Sequence, residues 1–241
     1  MAVVTCPFAS ARNDARRGAT RGGALFIEGT RPPHSAQPPA PVESPSALHD
    51  AASKGHLLAV LLQIQNGAEV SSRENDGRTP LHRAALGGHE AVLLHLLEHG
   101  AEVSAKTICG VTPQLCSAQE GHTLCCAALL EHGSEVSAKD ICGYTSLHWA
   151  AQGGHAAVAQ QLLDKGASLS AQDCFGKTPM EVASSFAGSL PHLQIAGMIK
   201  AEAIRRAKCV AFAMGQEERL GEGSWARELD PGVLRMVLDQ V

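Results

Sequence analysis

An all-α repeat solenoid, with stacked helix-turn-helix units and projecting hairpin turns, is the fold class that three features of this 241-residue sequence predict. The first is a period of 33 residues. Threonine recurs at Thr79, Thr112, Thr145 and Thr178, with Ser46 one period earlier, and glycine precedes each threonine by two at Gly77, Gly110, Gly143 and Gly176. The second is that two more series share this period: the pairs Gly55-His56, Gly88-His89, Gly121-His122 and Gly154-His155, and the single glycines Gly67, Gly100, Gly133 and Gly166. The third is composition. Apolar residues make up 44%, enough for a core, yet aromatics are only 3%, so the packing rests on alanine, leucine and valine.

The elements follow in chain order. Residues 1–45 hold seven of the twelve prolines, five arginines and three acids, with no sustained apolar period. That is too little apolar surface to offset ordering entropy, and a disordered arm is expected. Its arginines and scarce acids suit an organelle transit peptide, but Asp14 and the prolines from Pro32 onward count against one. The amino terminus carries no apolar stretch of the kind a secretory signal needs.

Within one period, "TPLHRAALG" at 79–87 places a capping threonine before a proline at the first helical position, where the missing amide costs nothing. Gly87-Gly88 ends this helix. A second helix, Glu90 to Glu98, carries Val92, Leu93, Leu96 and Leu97 on one face, and Gly100 stands just past its end. The segment "AEVSAKTICGV" then forms an extended, hairpin-like connection through a glycine turn.

These residues resemble a known family. "TPLHRAA" at 79–85, "TSLHWAA" at 145–151 and "GHEAVLLHLLEHGAEVSAK" at 88–106 are similar to ankyrin repeats. The resemblance covers roughly residues 46–186. It implies paired helices stacked side by side, with hairpin tips at right angles to them, and a binding scaffold rather than one set activity. Five units are counted: a worn one at 44–75, three full ones from 76 to about 174, and a degenerate last one, "TPMEVASSF", in which the Gly-His step is lost. Decay at the ends suits capping repeats. The third unit also departs, with Gln114 where leucine belongs and Leu115 where histidine belongs, so its first helix is expected to pack differently. Ser104, Ser137 and Ser170 stand where many family members carry asparagine, so asparagine hydroxylation is not expected there.

Beyond Leu190-Pro191, His192 to Met214 contains Ile195, Ile199 and Ile204, and predicts one or two helices, the first covering the end of the stack. The repeat domain is placed at 46–208 and a helical tail at 209–241. "GQEERLGEGS" reads as a polar break. Asp230-Pro231-Gly232 then starts a helix with Leu234, Val237, Leu238 and Val241 on one stripe. That stripe either folds back on the repeats or docks a partner. "ELDPGVLRMVLDQV" is faintly similar to the opening helix of an F-box, which would imply a ubiquitin-ligase substrate adaptor.

The tips and outer first-helix positions line one face in such a scaffold. Here they are Arg78 and Arg83, then Ile108, Val111 and Gln119, then Ile141, Tyr144, Trp149 and Gln152, then Phe175 and Lys177, with Cys109, Cys116, Cys142 and Cys174 beside them. Apolar tips with tyrosine and tryptophan are the residue types that dominate interfaces, and these residues are the candidate partner-binding set. The alternative is a ladder in which neighbouring tips bury these side chains against one another. The expected role is a non-enzymatic scaffold or adaptor for another protein, the identity of which the sequence does not give.

Other functions find little support. The histidine series sit about 10 Å apart in stacked units, too far to share a metal, and suit imidazole-to-backbone bonds in turns. Cys125 and Cys126 fall on core positions, and a thiol or metal-binding protein is a second alternative. Glu69, Glu102 and Glu135 stand four residues before Arg73, Lys106 and Lys139, and suit weak exposed ion pairs. No catalytic constellation, metal site or cofactor loop is assembled. A net charge of −4 gives no pull toward nucleic acid, and the apolar run Leu124–Leu130 is far short of the roughly 20 residues that span a bilayer. A monomer in the cytoplasm, with the nucleus as a second compartment, is expected.

Overall fold

The computed structural model describes residues 46–186 and 188–217, with side chains as far as Arg206. The chain divides after Glu43, and all described residues belong to the second unit, Ser44–Val241. The amino-terminal arm and the stripe Leu234–Val241, with its adaptor reading, lie outside the described residues.

Ten α-helices and no strands are found among the described residues. They pair as α1 (Ser46–Ser53) with α2 (Leu57–Gln65), α3 (Pro80–Gly87) with α4 (Glu90–Glu98), α5 (Pro113–Glu120) with α6 (Thr123–Glu131), α7 (Ser146–Gly153) with α8 (Ala156–Asp164), and α9 (Pro179–Ser184) with α10 (Leu190–Glu217). The first helices α1, α3, α5, α7 and α9 pack in one row, and α2, α4, α6, α8 and α10 in another. The core lies between the rows, where Leu81, Leu93, Leu96, Leu115, Leu129, Leu147 and Leu162 are fully buried. This is the solenoid that the 33-residue period predicts.

The helix starts follow from the threonines. Thr79, Thr112, Thr145 and Thr178 adopt extended backbone at the N-cap, and proline occupies the first turn in three of the four helices. In α3 and α7 the third residue is histidine, and its Nδ1 accepts from the threonine N–H at 3.2 Å. In α9 Glu181 does the same work at 2.7 Å. In α5 the residue is Leu115, so only the Thr112 hydroxyl is left to cap, accepting from Leu115 N–H at 3.3 Å.

Imidazoles tie each unit to both neighbours. His82 Nε2 donates forward to the Val111 carbonyl (3.0 Å), and His148 Nε2 to the Lys177 carbonyl (3.1 Å). The other series points backward: His89, His122 and His155 donate to the carbonyls of Ser53, Leu86 and Gln119, each at 3.0 Å. The glycine before each of these histidines has two reasons to be glycine. At Gly121 φ is +77°, and a Cβ there would overlap the His155 ring.

The third and fifth units depart from the pattern in different ways. Gln114 is buried and bonded, donating to Cys126 Sγ (3.0 Å) and accepting from Ser134 Oγ (3.1 Å). In the fifth unit α10 takes the second-helix place and buries Ile195, Ile199 and Ala203 against the stack. It runs unbroken across the expected boundary at 208 to Glu217, since "AKCVAFAM" holds no proline or glycine to stop it. Of the exposed charges, Arg73 pairs with Glu102 of the next unit at 3.0 Å rather than with Glu69, and Lys139 Nζ donates to the Gln172 carbonyl at 3.2 Å.

Candidate interaction face

Each hairpin tip turns through a glycine of positive φ and bonds by its backbone to the tip before it. Ile108 N–H donates to the Asp76 carbonyl, Ile141 N–H to that of Cys109, and Cys174 N–H to that of Cys142, at 2.8–3.1 Å. Backbone bonds therefore join the tips, and they leave the large apolar tip side chains outside. Ile108 is 75% exposed, Ile141 65% and Phe175 74%. The apolar tips do not bury one another.

Three residues expected on or beside this face are not exposed. Val111 is buried, because its N–H is drawn to Thr107 Oγ1 (3.1 Å) and its carbonyl takes the His82 imidazole, which turns the short side chain inward at the hairpin stem. Cys116 is also buried, and burial pushes its thiol up to about 12. Cys142 is buried as well. The core thiols Cys125 and Cys126 are raised to about 11 by the same desolvation, as packing residues would be. Among the described residues no cluster of three or more His, Cys, Asp or Glu is placed to hold a metal ion, and no helix is long and apolar enough to cross a membrane.

Of the remaining candidates, Arg78, Arg83, Gln119, Tyr144 and Trp149 are half-buried, and Gln152 and Lys177 are exposed. Arg78 pairs with Asp76 at 3.2 Å, and Arg83 places its guanidinium on Glu74. Gln119 donates to Glu120 at 3.0 Å. Tyr144 and Trp149 pack against each other with ring centroids 5.0 Å apart and planes tilted by 40°, and Trp149 Nε1 donates to Asp140 Oδ2 at 3.3 Å. Burial pushes the Asp140 carboxyl up, against the pull of the N–H groups of Tyr144 and Cys142. The two aromatic rings are thus held in place before any partner arrives.

Tyr144, Gln152, Phe175 and Lys177, four residues expected on this face, surround one cavity of about 320 Å³ between the fourth and fifth units. Val182, Ser185 and Phe186 complete its wall, and the sequence reading missed them. One signal was available: Phe186 occupies the position of Gly87 and Gly153 in earlier units, where a large apolar side chain is out of pattern.

A family model described as ankyrin repeats in three copies matches residues 24–107 and 115–197, more than half of the chain. No curated protein matches the sequence.

Proposed function

Because the chain belongs to the ankyrin-repeat family, a family of protein-protein interaction scaffolds, we propose that it is a non-enzymatic adaptor binding a partner protein through its hairpin tips and first helices. The observation that carries this reading is the row of apolar side chains at Ile108, Ile141 and Phe175, each at least 65% exposed on tips that are already fixed by backbone bonds. Tyr144 and Trp149 supply the aromatic anchor, Arg78, Arg83 and Lys177 the charged rim, and Gln119 and Gln152 further polar contacts. Val111 and Cys116 drop out as contacts.

The mechanism is presentation on a stiff frame. Imidazole bonds run forward and backward between units, so the tips enter an interface with little conformational freedom left to lose. A side chain such as Trp149 would then contribute on the order of 2–4 kcal/mol, the usual range for an interface anchor. The test is affinity capture from a cell lysate with the wild-type chain beside Tyr144→Ala/Trp149→Ala. The captured protein is expected to bind the double variant about thirtyfold more weakly or worse, with circular dichroism unchanged. Equal capture by an equally folded variant would contradict the proposal.

A further inference from the structure

The residue that opens each hairpin is matched with the fourth residue of the next first helix, nine positions on. In the second unit Glu74 takes the guanidinium of Arg83. In the third the pair is Thr107 and Cys116, with no carboxylate. In the fourth Asp140 Oδ2 takes the indole N–H of Trp149. In the fifth the pair is Asp173 and Val182, and valine has no donor.

Asp173 is nonetheless set like Asp140. Its Oδ1 accepts from the N–H groups of Phe175 (2.8 Å) and Lys177 (2.9 Å), as Asp140 Oδ1 accepts from those of Cys142 and Tyr144 (both 2.9 Å). The same two bonds fix the same carboxylate orientation, so Asp173 Oδ2 points at position 182. Asp173 is only 7% exposed, and its Oδ2 is buried with no hydrogen-bond partner among the described residues. An orphaned buried carboxylate oxygen is rare in a folded protein. Position 182, which that orientation faces, is Val182, and Val182 lines the cavity with Tyr144, Phe175, Lys177 and Phe186.

We propose that this cavity receives a tryptophan side chain of the partner protein, whose indole N–H gives Asp173 the bond that Trp149 gives Asp140. The inference rests on the adaptor reading and names the partner's anchor residue. About 320 Å³ is at the small end of ligand pockets and suits one side chain. The walls are aromatic and aliphatic, which suits a ring. Lys177 on the rim disfavours a cationic donor such as arginine, so the donor is neutral. Val182 is only 5% exposed, so the ring reaches the oxygen only if the valine methyl groups yield as it seats.

The full-length chain, labelled with ¹⁵N, is titrated with N-acetyltryptophanamide and with N-acetylphenylalaninamide, which has a ring but no ring N–H. Amide shifts at Phe175, Lys177, Val182 and Phe186 report binding. The tryptophan probe is expected to bind about tenfold more tightly, the scale of one hydrogen bond to a charged group. Asp173→Asn keeps the Oδ1 acceptor for the hairpin but should bring the two affinities together. Val182→Ala should tighten tryptophan binding by opening the way, and Val182→Trp should abolish it by supplying the ring from within the chain. Equal affinities for the two probes, a preference that survives Asp173→Asn, or an absence of shifts at these amides would overturn the proposal. The protein captured in the adaptor test separates the two readings. Its loss from Ile141→Asp but full retention by Val182→Trp would overturn the cavity proposal alone, and retention by both would overturn the adaptor reading as well.

Discussion

At the scale of single residues, the stack is fastened by neutral imidazoles, and this makes its stability depend on pH. Burial holds His82 down at about 4, from an ordinary 6.5, and pushes His148 in the same direction. Between pH 6.5 and about 4 the unfolded chain binds the His82 proton and the folded chain does not, so stability is complete above 6.5 and falls as the pH drops through this window. The loss due to His82 is on the order of 3 kcal/mol. Urea denaturation between pH 4 and 7 should show it, and His82→Leu, which copies Leu115 of the third unit, should flatten the slope. A slope unchanged by that substitution would place the pH dependence elsewhere. Gly121→Ala should cost about 2 kcal/mol, since it combines positive φ with a methyl group driven into the His155 ring. Thermal denaturation measures this. The repeated histidines were legible as backbone-bonding residues because they recur in step with the turns. His192 was not: its Nε2 reaches the Gln152 carbonyl 40 residues back, where His155 spans 36, and it sits inside α10 rather than at an N-cap. A role carried by geometry had slipped out of the period.

At the scale of elements, the sequence specified the helix starts and stops, which depend on local residues, better than it specified the packing of the unusual unit. Gln114 in a leucine position suggests a loosened α5, but the amide is absorbed by Cys126 and Ser134, which differ from their counterparts in other units. Such a network joins residues 12 and 20 positions apart, and no local pattern announces it. The end of the stack is similar. Ile195 and Ile199 were visible as an apolar face, whereas the function of the charges on α10 was not. Arg206 donates to the carbonyls of Leu163 (3.2 Å) and Ala167 (2.9 Å), satisfying the open end of α8, while Glu202 holds Arg206 at 2.8 Å. The Arg205 guanidinium beside Glu202 keeps its carboxyl below the usual range. Arg206→Ala should therefore lower stability by about 1 kcal/mol and speed amide exchange at the α8 end. If exchange there does not change, Arg206 is not its cap.

At the scale of the whole molecule, the proposed partner meets the tips and first helices, and the second-helix row stands behind them. The period revealed the fold. It did not reveal which side chains of the face stay exposed, because Val111 and Ile108 are alike in composition and differ only in how the hairpin hydrogen bonds turn them. Photo-crosslinking distinguishes the two sides directly. A benzoylphenylalanine is placed at Ile141 on a tip in one chain, and at the exposed Gln160 of α8 in another. The captured partner is expected to crosslink from position 141 and not from 160; crosslinking from 160 alone would rule out the tips as its binding surface.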